Sequence, residues 1–156
     1  MSVEAMYQDI ILDHYREKHH CGLREPFGSE VHHVNPSCGD ELTLRVALDG
    51  DTITDISYQA EGCSISQASV SVMTDLCIGR SIDDSLALGE EFKEVMESQG
   101  KAEPDEDRFE DGIAFVGVSQ FPNRVKCAML GWAAMKDAVS RALAEADSGP
   151  DPATSS

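Results

Sequence analysis

Three cysteines stand at corners of the chain, where functional side chains are commonly presented. Cys38 sits within Asn35-Pro36-Ser37-Cys38-Gly39-Asp40, Cys63 lies between Gly62 and Ser64-Ile65-Ser66-Gln67, and Cys127 falls early in a long helix-forming run. Asp40 stands two residues beyond Cys38. Alternate residues of a strand face the same side, so both could aim at one point if a strand begins there. A thiol near a helix N-terminus feels the positive end of the dipole, which favours the thiolate, the form that binds metal and attacks sulfur. Cys63 and Cys127 both meet that condition, and Gly39 and Gly62 permit the positive φ or close backbone approach needed to wrap a loop around an ion. Three thiolates and a carboxylate would give a soft, negatively charged, four-donor site suited to zinc or iron and unsuited to magnesium or calcium. Against this stands the plainer alternative that a loop cysteine is a small buried hydrophobe, since no paired C-x-x-C spacing occurs.

The other candidates carry less. Cys77 lies inside an amphipathic helix and is expected in the core, and Cys21, in a turn-rich loop, is expected to have no role. His32 and His33 could offer one imidazole between them, because neighbours on a strand point oppositely. His14, His19 and His20 are expected at the surface or at a helix end, where a cationic imidazole suits the C-terminal dipole. The acid-rich stretch from Asp83 to Asp111 is a solvated face or a docking surface for a basic partner.

These side chains must be positioned by one domain, expected over residues 1–147, with 148–156 as a disordered tail. The 156 residues carry 12 basic and 29 acidic side chains, a formal net charge of −17, which repels phosphate backbones and anionic headgroups and argues against nucleic acid and membrane as partners. No run of 18 apolar residues occurs, and Met1 to Lys18 mixes charges of both signs, so a cytoplasmic location is expected. Five cysteines there do not form a disulfide framework.

Along the chain, Tyr7, Ile10, Ile11 and His14 or Tyr15 recur at helical spacing over Ser2–Lys18. Glu30 to Val34 suggests a short strand. Leu42, Leu44, Val46 and Leu48 alternate with polar residues, Asp49-Gly50 supplies a hairpin turn, and Ile53 falls out of phase with Ile56, Tyr58 and Ala60, which predicts a bulge in the returning strand. Ser64 and Gln67 have the spacing of a capping box, opening a helix that Gly79 stops. Ser81 with Asp83 and Asp84 opens another that ends near Gly100. Lys101–Asp111 is an acidic loop, Phe109–Gln120 is ambiguous with a lean toward helix, and Arg124–Ala146 is a helix preceded by Pro122 and Asn123. Strands segregated from helices predict an α+β fold with an antiparallel sheet covered by helices on one face.

Met6-Tyr7-Gln8-Asp9-Ile10-Ile11-Leu12-Asp13-His14-Tyr15, the Asn35–Asp40 segment, Gly62-Cys63-Ser64-Ile65-Ser66 and Arg124-Val125-Lys126-Cys127-Ala128-Met129-Leu130 together resemble the U-type iron–sulfur cluster assembly proteins. The resemblance implies a small antiparallel three-stranded sheet with helices mainly on one face, and metal ligands at Cys38, Asp40, Cys63 and Cys127. In the IscU branch a histidine precedes the third cysteine. Here Lys126 stands there, and extra sequence, roughly Asp83 to Asp107, separates the second and third cysteines, both of which look like the SufU branch.

That branch implies a zinc-dependent, sulfurtransferase-like acceptor of persulfide sulfur. The donor would be a cysteine desulfurase, whose pyridoxal phosphate is the partner's own, and the sulfur would pass to the Suf cluster-assembly complex. Cys38, on its Pro-Ser-Cys-Gly loop, is the expected acceptor, and a monomer or weak dimer is expected. Arg124 and Lys126 could lower the Cys127 pKa, dock the desulfurase, or form a solvated helix start. The alternatives are a scaffold holding iron or an iron–sulfur cluster on the same thiolates, and a structural zinc domain that binds another protein.

Overall fold

The computed structural model describes residues 3–36 and 39–148. Ser37, Cys38, the first two residues and 149–156 lie outside the described residues, and with them the expected acceptor and nearly all of the expected tail. Helix α1 (Val3–Glu17) is followed by strands β1 (Ser29–Asn35), β2 (Asp40–Asp49) and β3 (Thr52–Glu61), then α2 (Ser64–Cys77) and α3 (Ile82–Glu97). A short α4 (Glu106–Phe109) leads into a 3₁₀ segment (Glu110–Gln120) and α5 (Pro122–Ser148).

Among the described residues the sheet is three-stranded and antiparallel, in the order β1-β2-β3. Two-residue periodicity puts Val31, Leu42, Leu44, Val46, Ile56 and Tyr58 on one buried face. Glu30, His32 and Glu41 lie exposed on the other. The turn at Asp49-Gly50 forms with Gly50 at φ +61. The out-of-phase Ile53 is explained by a bulge: Ala47 faces Asp55 but Leu48 faces Ile53, which leaves Thr54 unpaired in the ladder. Its hydroxyl donates to the Ala47 carbonyl instead, at 3.1 Å.

The buried sheet face is covered by α5 over β1 and β2 and by α2 over β3. Helix α5 is pinned to β1 at two points: the Ser29 hydroxyl donates to the Ala138 carbonyl at 2.5 Å, and His33 Nε2 lies 2.8 Å from an Asp137 carboxylate oxygen. On its other side Trp132 stacks on Phe92 of α3 at 5.0 Å, and Phe92 meets Phe115 of the 3₁₀ segment edge-on at 5.8 Å. Residues 110–120 therefore take the helical side of the ambiguity, wound with the tighter period of a 3₁₀ helix. Ser81 caps α3 as expected, accepting from Asp84 N–H at 3.1 Å. No helix among the described residues is long and apolar enough to cross a membrane.

The crossing of α5 over α2 is the contact that matters most for the site. A Cβ on Gly131 would lie 2.9 Å from Val70 Cβ, so the helices touch backbone to side chain there. One turn earlier the Ser69 hydroxyl donates to the Ala128 carbonyl at 2.6 Å, next to Cys127. Gly131→Ala is expected to cost about 1–3 kcal/mol through overpacking, read as a lower urea midpoint with unchanged slope. An unchanged midpoint would show that the crossing can relax.

Candidate metal centre

Asp40 is the first residue of β2 and is completely buried. Its partner across the ladder is Asn35, the last residue of β1, and Gly39 enters the strand at φ +71. One Asp40 carboxylate oxygen accepts the Cys63 backbone N–H at 2.8 Å, and Cys63 Sγ lies 3.9 Å from the other. The approach needs glycine at position 62. Gly62 has φ +137, and a Cβ there would lie 2.8 Å from Asp40 Cα and overlap the carboxylate.

Cys63 is the N-cap of α2, in extended conformation at φ −72 and ψ 163, and it is half-buried. The expected capping box does not form. Ser64 is already helical, and the Gln67 side-chain amide donates to the Gly62 carbonyl at 2.9 Å. The reason lies at Asp40, which takes the Cys63 N–H and so starts the helix one residue earlier than the Ser-x-x-Gln spacing implies.

Cys127 arrives from α5. That helix begins at Pro122, the favoured position for proline in a first turn, so Cys127 is its sixth residue, beyond the first turn where the strongest dipole effect was expected. It is buried, with Asn35 Nδ2 4.0 Å and the Asn123 carbonyl 3.7 Å from its Sγ. Asn35 was not singled out in the sequence. No local signal marked it, because its place opposite Asp40 follows from the pairing of β1 with β2.

Asp40, Cys63 and Cys127 each offer one ligand atom, and these atoms lie within 4.8 Å of one another. Ligands of a tetrahedral zinc stand roughly 3.5–4 Å apart, so a modest contraction brings all three onto one ion. A buried carboxylate with two sulfurs fits zinc or iron better than a hard cation. Cys38, two residues before Asp40, lies outside the described residues. His32 contacts Thr43 and Glu41, both at 2.9 Å, and His33 contacts Asp137, so neither joins this group. Arg124 and Lys126 are exposed.

Cys77 is in the core as expected, and burial pushes its thiol up to about 12. Cys21 is exposed and forms an isolated bridge with Tyr58. His14 stands at a helix end as expected, in the last turn of α1, but away from the surface: it is 3% exposed, and Ser71 and Asp111 satisfy both of its ring nitrogens. The acid-rich region is also more than a solvated face. Arg108 clamps Glu91 at 2.6 Å and Asp84 at 3.0 Å, which fastens α4 to α3.

Cys63 opens onto a cleft of about 910 Å³ between α1, the 3₁₀ segment and the start of α5. Leu12, Ile65, Val118, Phe121 and Arg124 are among its walls, and Phe121 is 59% exposed. Buried Asp40 and Cys127 lie behind half-buried Cys63, which meets this open, mostly apolar approach.

Residues 6–128 match the family described as the NifU-like N terminal domain. An iron–sulfur cluster assembly scaffold protein IscU of Streptococcus pyogenes is 39% identical over 87% of this chain and 84% of its own length. A zinc-dependent sulfurtransferase SufU of Bacillus subtilis is 38% identical over 90% of this chain and 93% of its own. Among solved structures, one assigned as an iron–sulfur cluster assembly scaffold for the SUF system of Fervidobacterium islandicum superposes with a TM-score of 0.78. It is 33% identical, over 88% of this chain and 99% of that one.

Two outcomes follow from this geometry. Gly62→Ala is expected to weaken zinc binding, measured against a competing chelator, and to destabilise the metal-free chain by about 1–3 kcal/mol, because Asp40 and the positive φ both oppose a Cβ. Alkylation of the native chain at about pH 8 is expected to modify Cys21 and leave Cys77 intact until denaturant is added, since a thiol held that far above neutrality supplies almost no thiolate.

Proposed function

The chain belongs to the NifU-like N-terminal domain family, and from that premise we propose that it is a zinc-dependent sulfur acceptor in Suf-type iron–sulfur cluster assembly. The donor is the persulfide of a cysteine desulfurase. The observation that carries this reading is the convergence of Asp40, Cys63 and Cys127 at the edge of an apolar cleft. Cys38, two residues before Asp40 in the sequence, is the fourth donor of this reading. Zinc, when bound by these four residues, holds the thiolates together and shields them from oxidation.

The chain's own residues perform the transfer. The Cys38 thiolate attacks the outer sulfur of the partner's persulfide. A new S–S bond forms to Cys38, the old S–S bond breaks, and its electron pair leaves on the partner's cysteine as thiolate. The outer sulfur and its proton end on Cys38, and no external oxidant or reductant is consumed. The family resemblance points to Cys38, in its Pro-Ser-Cys-Gly sequence, for this role. Asp40, completely buried and tied to Cys63 N–H, and Cys127, buried in α5, are built to stay in place. The cleft wall of Leu12 and Phe121, with Arg124 at the rim, offers a desulfurase an apolar landing beside Cys63.

A scaffold reading keeps support from one observation: the Streptococcus pyogenes relative, similar at 39%, is named a scaffold, and cysteine thiolates also ligate iron–sulfur clusters. Lys126, at the position where the resemblance expects a scaffold's histidine, disfavours it. Anaerobic reconstitution separates the two, since a stable, transferable cluster supports the scaffold and zinc that resists replacement by iron supports sulfur transfer. Cys38→Ala is expected to abolish stimulation of desulfurase turnover while Asp40, Cys63 and Cys127 remain. Undiminished stimulation would remove Cys38 as the acceptor.

A further inference from the structure

At the other end of α2 from Cys63, about 18 Å away along the helix axis, a second group of ligating side chains converges. His14, in the last turn of α1, places Nδ1 2.8 Å from Ser71 Oγ and Nε2 2.8 Å from an Asp111 carboxylate oxygen. The chain then reverses through Lys18 and His20, both non-glycine residues at positive φ, 48 and 63. The reversal lays His19 and His20 against α2. His19 Nδ1 stands 2.6 Å from Asp75 Oδ2, its Nε2 stands 2.9 Å from Glu17, and His20 Nε2 lies 3.2 Å from Asp75 Oδ1. The His14 and His19 rings are 4.6 Å apart, centroid to centroid. His14, His19 and Asp75 each present a ligand atom within 4.8 Å of the others.

The hydrogen bonds set which nitrogen is available. Ionised Asp111 only accepts, so His14 Nε2 carries the proton and Nδ1 keeps its lone pair. Ser71 Oγ already accepts the His19 backbone N–H at 2.9 Å, so its own proton is free to point at that lone pair. On His19, Glu17 orients Nε2 and leaves Nδ1 toward Asp75. His14 thus has Asp111 on one nitrogen and Ser71 on the other, and His19 has Glu17 on one and Asp75, itself a ligand candidate, on the other; an outer carboxylate on each ring is what fixes the tautomer of a metal-bound histidine. Below Ser71 the buried Tyr58 hydroxyl makes no well-formed hydrogen bond, leaving a polar atom under the group.

We propose that His14, His19 and Asp75 form a second metal site, for a divalent first-row ion such as Zn²⁺, Co²⁺ or Fe²⁺. Two imidazoles and one carboxylate are a donor set such ions accept, harder than the thiolate corner. The ion occupies the place of the proton between His19 and Asp75. Tetrahedral ligation sets those atoms about 3.3 Å apart, so they open by less than 1 Å. Both side chains are free to do so, at 34% and 37% exposure, and the same exposure provides an entry path. Glu17, Asp75 and Asp111 supply the negative charge that offsets the ion.

The site is independent of the sulfur-transfer reading, and Co²⁺ titration of the full chain tests it. The first equivalent, on the thiolates, shows sulfur-to-metal charge transfer in the near ultraviolet. The second is expected to add visible d–d absorption without further charge transfer. Asp75→Asn and His19→Gln, both at the surface, should weaken the second equivalent by at least about a hundredfold. Glu17→Gln, which removes only an orienting carboxylate, should weaken it about 10–100-fold. In each variant the unchanged charge-transfer band of the first equivalent reports an intact fold. Binding that ends at one equivalent, or a second equivalent that Asp75→Asn and His19→Gln leave as tight as before, overturns the proposal.

Discussion

A carboxylate with no solvent exposure is expensive to maintain. Asp40 is such a group, and the structure around it is arranged to keep it. Water is replaced by the Cys63 backbone N–H, which the start of α2 presents at 2.8 Å, where the positive end of the helix favours an anion. That single hydrogen bond joins the first residue of β2 to the cap of α2, and it requires the chain to pass through Gly62 without a Cβ. Once the bond is made, the direction of α2 off the end of β3 is set, and Cys63 Sγ has to lie beside the carboxylate. Helix α5 then needs only its close crossing at Gly131 and Val70 to bring Cys127 to the same point. The ligand group is a by-product of how three secondary-structure ends are tied together.

The parts of this arrangement that were legible in the sequence are those decided by near neighbours. The alternation of Leu42, Leu44 and Val46, the Asp49-Gly50 turn and the phase slip at Ile53 report a hairpin with a bulge, because pleat and turn chemistry act over a few residues. The Ser81 cap was legible for the same reason. The capping box at Ser64 was misread because its competitor, Asp40, is 24 residues away. The early start of α5 was misjudged by placing Pro122 before the helix instead of in its first turn. The burial of His14 was not legible, because its partners, Ser71 and Asp111, are 57 and 97 residues distant. Local rules also gave no hint that Asn35 stands beside Cys127. Ligand types and spacing made Asp40, Cys63 and Cys127 candidates, but only the tertiary ties explain why they meet.

The stretch between the second and third cysteines has a structural role that its composition concealed. Acidic side chains there are gathered by a few cations. Arg108 holds Glu91 and Asp84, and Arg80 adds a further bond to Asp84. Hydrogen bonding by Arg80 first, then Arg108, holds the Asp84 carboxyl below its ordinary range. The clamp fixes α4 to α3, and α4 delivers the 3₁₀ segment whose Phe115 packs on Phe92 and whose end turns through Phe121 into α5. The clamp therefore supports the 3₁₀ segment, whose Ala114, Gly117 and Val118 line the cleft next to Cys63. What looked like a charged surface excursion supports the approach to the thiolates.

Helix α2 thus separates two kinds of donor by its length. At its N-terminus, sulfur and a buried carboxylate gather where the helix stabilises negative charge, and such donors favour a soft, tightly held ion. At its C-terminal end, imidazole and exposed carboxylate gather where the helix stabilises positive charge and water has access. A cation there meets the negative pole of the same dipole that, at the other end, favours an anion. With a formal charge of −17 over the chain, cations are drawn to the surface in general, and ligand chemistry decides which stay. The segregation of sulfur from nitrogen gives the two ends donor sets of different softness, so the same first-row ion is held with different strength at each.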